Sequence, residues 1–334
     1  MSAERASSTP ETARLLEVRD LAVSFGTADG VVEAVRGVSF AVERGRTLGI
    51  VGESGSGKSV SAQTIIGLTR DASISGTALF EGRDLLSMSS EELQAVRGAQ
   101  IAMIFQDPLS SLHPLYRVGW QISEMVRVHQ PVSRKQAHAQ AVELLRIVGI
   151  PRPERRVDDY PHQFSGGMRQ RAVIAMALAL NPMLLIADEP TTALDVTVQA
   201  QIMDLMRRLQ AEYGTAIILI THDLGLVAEI ADDVLVMYGG RAMEHADRRT
   251  LFYRPHHPYT RGLLASLPVT GSGERLTSIR GAPPSMIRLP GGCPFHPRCS
   301  EVLPRCATDT PPLRELEAGH ESACWLPERP GARP

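Results

Sequence analysis

The stretch Gly52-Glu53-Ser54-Gly55-Ser56-Gly57-Lys58-Ser59 is the first place where residue type and spacing imply chemistry. It matches G-x-x-x-x-G-K-[ST] and directly follows a strand-like run, Thr47–Val51, which is the context the motif requires. Gly52, Gly55 and Gly57, with Ser54 between them, let backbone N–H groups curl around phosphate oxygens. The helix that follows turns its positive end toward them. Lys58 adds a compact cation at the β/γ-phosphates of a nucleoside triphosphate, and Ser59 a hydroxyl for Mg²⁺. The chain has 35 cationic side chains but only two lysines, Lys58 and Lys135, so a lysine at this position is the more informative.

A second run, Met183-Leu184-Leu185-Ile186-Ala187, ends in Asp188-Glu189. A buried strand ending in two carboxylates has no packing rationale, because unpaired buried charge is costly. Asp188 is placed for the Mg²⁺ shell and Glu189 to orient and deprotonate an attacking water. Together the two stretches predict a nucleoside triphosphate with Mg²⁺, chemistry that kinases, helicases and GTPases share; the resemblance that follows makes the expected cofactors ATP and Mg²⁺.

Phe164-Ser165-Gly166-Gly167-Met168-Arg169-Gln170-Arg171 resembles the signature of the ABC ATPases, with Phe and Met where the commonest form has Leu and Gln. Ser165 is also a good N-cap. Glycines at a first helical turn cost stability, and at Gly166 and Gly167 they would admit an anion to the helix N-terminus. In the family that anion is the γ-phosphate held by the opposite subunit. Other motifs follow in the family's order. Gln106, in Phe105-Gln106-Asp107-Pro108, resembles the residue that touches Mg²⁺ or water and leads to the helical subdomain. Asp195, in Ala193-Leu194-Asp195, resembles the loop that communicates across the dimer, and His222 the histidine that steadies Glu189 and the γ-phosphate. Phe25 resembles the ring that stacks on adenine, although its alternation with Leu21 and Val23 also suits a core strand.

The resemblance spans about residues 15–250 and narrows beyond them. Pro255-His256-His257-Pro258-Tyr259-Thr260-Arg261 and Gly292-Cys293-Pro294-Phe295-His296-Pro297-Arg298-Cys299 look like the C-terminal extension of dipeptide and oligopeptide importer ATPases, an extension shared with nickel and glutathione importers. Cys293, Cys299, Cys306 and Cys324, the only cysteines, crowd the end of the chain, which indicates a shared ligand set. Their gaps contain no C-x₂-C pair, against ordinary zinc. Four thiolates suit a 4Fe–4S cluster, which the family's extension has been associated with. Four buried free cysteines are the alternative, and zinc stays open.

These residues need scaffolding, and the chain supplies it. Leu15–Val51 alternates as strands with Gly30, Gly37 and Gly45 as turns. Met183–Ala187 and Ala216–Thr221 are short apolar runs suited to parallel strands buried on both faces, and Pro114–Gly149 reads mostly as helix. Strands alternating with helices predict an α/β fold, a P-loop ABC ATPase core of mixed sheet with flanking helices. The expected organisation is a disordered tail (1–14), a nucleotide-binding domain (15–250) with a helical subdomain at about 108–165, and a loop-rich extension (251–334) standing apart from the main core. Net charge of −2 excludes a broad basic nucleic-acid footprint. The longest apolar run, Ala172–Leu180, is far short of the about 20 residues a span needs, and the N-terminus lacks an apolar signal segment. The chain is therefore expected at the cytoplasmic face of the membrane, held by partners. The resemblance implies what those partners are: a second ATPase subunit, commonly a paralogue, two membrane permeases, and an extracellular solute-binding protein. Leu112, Leu115, Tyr116 and Trp120 are the expected patch for a permease coupling helix, with subdomain core as the other reading of the same residues. A rival class, ABC ATPases acting on DNA or ribosomes, lacks the cysteine-bearing tail.

Overall fold

The computed structural model describes residues 14–107, 111–192, 194–267 and 279–327. Pro108, Ala193 and most of the expected tail lie outside them, while Arg14 already opens the first strand. An antiparallel sheet is built from β1 (Arg14–Thr27), β2 (Gly30–Glu43), β4 (Ala72–Phe80) and β5 (Arg83–Asp84), in the order β2-β1-β4-β5. Alternation along β1 and β2 buries Leu16, Val18, Leu21, Val35, Val38 and Phe40 on one face.

The larger sheet runs β11-β12-β10-β9-β3-β8-β7-β6. Its parallel centre consists of β6 (Ile101–Ile104), β7 (Leu184–Asp188), β8 (Ala216–Thr221), β3 (Thr47–Val51) and β9 (Asp233–Tyr238). β3, β7 and β8 are buried at every residue, as continuous apolar runs demand. β9 turns into antiparallel β10 (Arg241–Asp247) through Gly239 and Gly240, both at positive φ.

The helices are α1 (Lys58–Ile65), α2 (Ser90–Val96), α3 (Val118–His129), α4 (Arg134–Ile147), α5 (Pro153–Arg156), α6 (Gly166–Ala177), α7 (Val196–Tyr213), α8 (Leu224–Ile230), α9 (Arg248–Tyr253) and α10 (Pro258–Ala265). Val118, Ile122, Val126, Ala137, Ala141 and Leu145 of α3 and α4 share one apolar core with α6 and the central sheet. Helix α6 stops at Ala177.

The end of the chain does not stand apart. β11 (Arg314–Glu317) and β12 (His320–Ser322) add to the edge of the central sheet, where Glu244 of β10 pairs with Ser322. Cys293, Phe295 and Cys306 belong to the main apolar core, which is why the absence of periodicity there misled. A buried knot fastens the junction. Glu244, fully buried, accepts from the N–H groups of His256 (2.6 Å) and His257 (3.0 Å) and lies 2.8 Å from His320 Nε2.

Candidate functional site

Four adjacent parallel strands deliver the chemistry at their carboxyl ends, where open α/β sheets form their ligand crevices. The phosphate loop follows β3, Asp188 closes β7 and Glu189 follows it, His222 follows β8, and Gln106 lies two residues beyond β6. The strand register places Val51 beside Thr221 and Asp188 beside Ile220.

The loop is folded as its glycines require. Gly52, Gly55 and Gly57 have φ of 153°, 76° and 98°. A Cβ on Gly52 would meet Met237 O at 2.1 Å, and one on Gly57 would meet Ala34 O at 2.3 Å, so side chains are excluded by packing as well as by dihedral. Lys58, 5% exposed, places Nζ 2.7 Å from Gly52 O and 2.9 Å from Glu53 O. Burial lowers the pKa of its ammonium. Those carbonyls stand where phosphate oxygens would serve better, so the cation is held but not neutralised.

Ser59 Oγ donates to Asp188 Oδ1 at 2.8 Å, which brings together the two oxygens expected to hold Mg²⁺. Burial raises the Asp188 pKa above its ordinary value; a divalent cation would reverse that balance. Glu189 is the hub of the other half. Its Oε2 accepts from Gln106 Nε2 (3.0 Å) and Thr192 Oγ1 (2.9 Å), and its Oε1 lies 3.1 Å from His222 Nδ1. Burial pushes its pKa up, but hydrogen bonds from His222 and Thr192 outweigh it and hold the carboxyl below its ordinary value. Glu189 is also in the left-handed region at φ 46°, a conformation that costs a non-glycine residue about 1–2 kcal/mol. Backbone strain at the carboxylate aimed into the crevice marks a residue whose direction matters more than its comfort. Thr192 carried no sequence signal, because one threonine in a loop has no spacing to betray it.

Ser165, Gly166 and Gly167 are not part of this cluster. Among the described residues no hydrogen bond joins them to the phosphate loop, and Ser165 and Gly166 are exposed. Ser165 Oγ caps α6 by accepting from Met168 N at 3.3 Å. A Cβ on Gly167 would lie 2.7 Å from Val198 Cγ1 of α7, so this glycine has a packing reason that the sequence did not reveal. Gly166 has none so strong, its nearest neighbour being Leu194 Cδ2 at 3.7 Å. Asp195, exposed beside them, caps α7 by accepting from Val198 N at 2.9 Å. The half-buried Phe25 pairs with Val32 and Ala72 in the small sheet and packs on the core beneath it.

Of the expected docking patch, Leu112 is buried at 2% exposure and cannot be surface; its apolar side chain completes the core under α3. Leu115, Tyr116 and Trp120 are exposed, and the Tyr116 and Trp120 rings stack at 4.4 Å. A groove of about 290 Å³ between sheet and helices, lined by Ile66, Leu68, Met103, Phe105, Met125 and Met176, was not foreseen. These residues come from segments far apart in the chain, so no local pattern announces the groove.

Cys293, Cys299, Cys306 and Cys324 do converge, lining one void with His257 and His296. The void, of about 10 Å³, has room for roughly one water. Among the described residues no group of three or more His, Cys, Asp or Glu stands close enough to hold a metal ion, so neither zinc nor a cluster fits this arrangement without the thiols moving. Burial pushes the Cys293 thiol up to about 12 and raises Cys299 and Cys324, as expected of protonated thiols packed among apolar residues.

Comparison with known proteins identifies the family. The family model described as "ABC transporter" matches residues 35–192, and "Oligopeptide/dipeptide transporter, C-terminal region" matches residues 243–306. The oligopeptide transport ATP-binding protein OppD of Salmonella typhimurium is 51% identical over 327 residues, covering 97% of each chain. The dipeptide transport ATP-binding protein DppD of Bacillus subtilis is 49% identical, covering 95% of this chain and 96% of its own. Among solved structures, the dimeric post-hydrolysis ATP-binding cassette MJ0796 with ADP and Pi superposes with a TM-score of 0.64 at 26% identity. That match covers 70% of this chain and 99% of the other.

Proposed function

The chain belongs to the ABC transporter ATPases, in the branch that carries the oligopeptide/dipeptide C-terminal region, and from that premise we propose that its hydrolysis of ATP powers uptake of dipeptides or oligopeptides. The observation that carries the reading is the hydrogen-bonded group Ser59–Asp188 and Gln106–Glu189–His222 beside Lys58, with the Ser165–Gly167 turn exposed elsewhere. One chain therefore holds one half of each of two sites, and a second ATPase subunit completes it. The division at about residues 108–165 and 251 into core, helical subdomain and extension belongs to the same proposal.

In the mechanism, the loop amides and Lys58 receive the β/γ-phosphates, and Lys58 exchanges its carbonyl partners for them. Ser59 and Asp188 are the residues that would hold Mg²⁺, which supplies charge neutralisation at the transferred phosphoryl group. Gln106, Thr192 and His222 aim the ionised Glu189 carboxylate, which takes a proton from the attacking water. Asp195, with exposed Val196 beside it, and the Ser165 turn approach the partner's nucleotide, while Phe25 stacks on adenine. Gln106 adjoins Phe105, which lines the apolar groove, so nucleotide state would reach that groove; a permease helix would dock there or on the exposed Leu115, Tyr116 and Trp120 patch. No helix among the described residues is long and apolar enough to cross a membrane, which is consistent with attachment at the cytoplasmic face through two permeases. The second ATPase is proposed to be a paralogue, and cargo to come from an extracellular solute-binding protein.

The four cysteines converge on one void and are the donor type a 4Fe–4S cluster would need, and that convergence alone supports the cluster. The cluster would add a covalent staple to the extension, and binding it would widen the void. Iron and sulfide analysis of anaerobically purified protein tests this.

The decisive test of the function is reconstitution of the chain with its permeases and binding protein in vesicles. ATP-dependent uptake of oligopeptides, lost in Lys58→Ala, is expected. Uptake of nickel or glutathione with no peptide uptake would overturn the cargo.

A further inference from the structure

The phosphate loop is gripped from outside the nucleotide-binding core, by side chains of the C-terminal extension. Arg298, in the 3-10 turn His296–Arg298, reaches across the sequence to Glu53 of the loop. Its two terminal nitrogens meet the two carboxylate oxygens, Nη1–Oε2 at 2.5 Å and Nη2–Oε1 at 3.0 Å, the paired geometry that makes an Arg–carboxylate contact both strong and directional. The Arg298 side chain is 7% exposed and its other guanidinium hydrogens are occupied: Nε donates to Arg280 O (2.9 Å), Nη2 to Gly281 O (3.1 Å) and Nη1 to the Tyr238 hydroxyl (3.1 Å). The fork is thus aimed by protein contacts alone.

Tyr259, fully buried on α10, holds the same residue by its backbone: Glu53 N–H donates to Tyr259 Oη at 2.9 Å. The Tyr259 ring is locked against Tyr238 and Phe295 at 4.6 and 5.2 Å. Since Glu53 O accepts from Lys58 Nζ, the N–H, carbonyl and carboxylate of Glu53 are all engaged, two of them by the extension. Glu53 is 24% exposed at its side chain and lies within a loop built to receive a polyanion. Its free carboxylate there would repel the triphosphate.

We propose that Arg298 and Tyr259 are positioning residues for nucleotide binding: the extension neutralises Glu53 and fixes its peptide, and so sets the affinity of the loop for ATP. The inference rests on the ATPase reading and goes beyond it in making ATP affinity depend on the extension. It also gives a mechanical route by which any change in the segment between Cys293 and Cys299 reaches the phosphate site.

Equilibrium titration of the full-length chain with ATP and Mg²⁺, together with kcat and KM, tests it. Arg298→Ala, which frees the Glu53 carboxylate, is expected to raise the Kd for ATP roughly tenfold, with a smaller effect in high salt. Adding Glu53→Gln to that variant should recover most of the lost affinity, because the repelling charge goes with it. Arg298→Lys should fall between, keeping the charge without the fork. Tyr259→Phe, which removes only the hydroxyl, should raise Kd roughly threefold. A folded Arg298→Ala protein with unchanged ATP affinity would overturn the proposal. So would a double variant as weak as the single one, since loss through misfolding is not repaired by Glu53→Gln. Failure of the unsubstituted chain to bind ATP would instead sink the ATPase reading itself.

Discussion

Two buried carboxylate sites in this chain are built to opposite ends. Glu244, at the junction with the extension, is fully buried and takes hydrogen bonds from His256 N–H, His257 N–H and His320, so that its charge is answered within the fold. Asp188 and Glu189 at the phosphate site are answered only in part: one by a serine hydroxyl, the other by side chains that lie at the surface. Lys58 beside them rests on loop carbonyls. The difference separates a charge kept for stability from charges kept for a ligand. The first is saturated by groups that cannot leave; the second are held by groups that a nucleotide and a metal ion can replace. Positive φ at Glu189 belongs to the same contrast, since the fold tolerates strain there and shows none at Glu244.

The contrast is sharpest if each carboxylate is removed in turn. Glu189→Gln should lower kcat roughly a thousandfold while leaving ATP binding intact, and its melting temperature should match that of the unsubstituted chain. Phosphate release and equilibrium ATP binding measure it; hydrolysis at the normal rate would break the assignment. Glu244→Leu should do the reverse. It leaves His320 and two buried N–H groups without their acceptor, and stability should fall by about 3 kcal/mol with kcat of the folded fraction preserved. A melt shows the loss, and an unshifted midpoint would mean that the knot contributes nothing.

Acid provides a finer cut at the same comparison. Burial pushes the Glu244 pKa up, but its hydrogen bonds outweigh this and hold it below the ordinary value of 4.5. A depressed carboxylate contributes stability that is fully present above its unfolded pKa and is lost as pH falls through the folded one. The unsubstituted chain should therefore lose stability below about pH 4.5 more steeply than Glu244→Leu, which no longer has the group to protonate. Parallel acid limbs in denaturant titrations would remove Glu244 from the account.

The phosphate site was legible because its chemistry is local. Gly52–Ser59 and Asp188–Glu189 are contiguous, and an eight-residue glycine-rich loop after an apolar strand suits little besides a phosphate. Gln106 and His222 followed once those anchors were in place, since strand ends gather at one edge of a parallel sheet. What remained hidden depends on contacts far apart in sequence. Nothing near Glu53 announces Arg298, 245 residues away, and nothing around Glu244 announces His320. The extension looked separate because its strands are only four and three residues long and its cysteines join a core whose other members lie far upstream. Leu112 was misplaced for a related reason: adjacency to exposed Leu115 and Tyr116 says little about the direction of a side chain in a loop.

The two glycines of the signature turn give the smallest predicted effects and the finest distinction. Gly167 sits against Val198, where a new methyl would come within 2.7 Å of Cγ1. Gly167→Ala should therefore cost about 1–3 kcal/mol of stability through crowding, and Val198→Ala should relieve part of it. Gly166 faces outward with only a 3.7 Å contact to Leu194, and alanine there fits the fold. In helical conformation alanine is favoured over glycine by about 1 kcal/mol, so Gly166→Ala should melt no lower than the unsubstituted chain. If the turn closes over a partner's phosphate, that same methyl stands in the way of the anion, and hydrolysis should fall several-fold although the isolated subunit is intact. Both measurements are needed, because each glycine looks alike in the sequence. A Gly166→Ala protein with normal stability and normal hydrolysis would leave Ser165 a helix cap and nothing more.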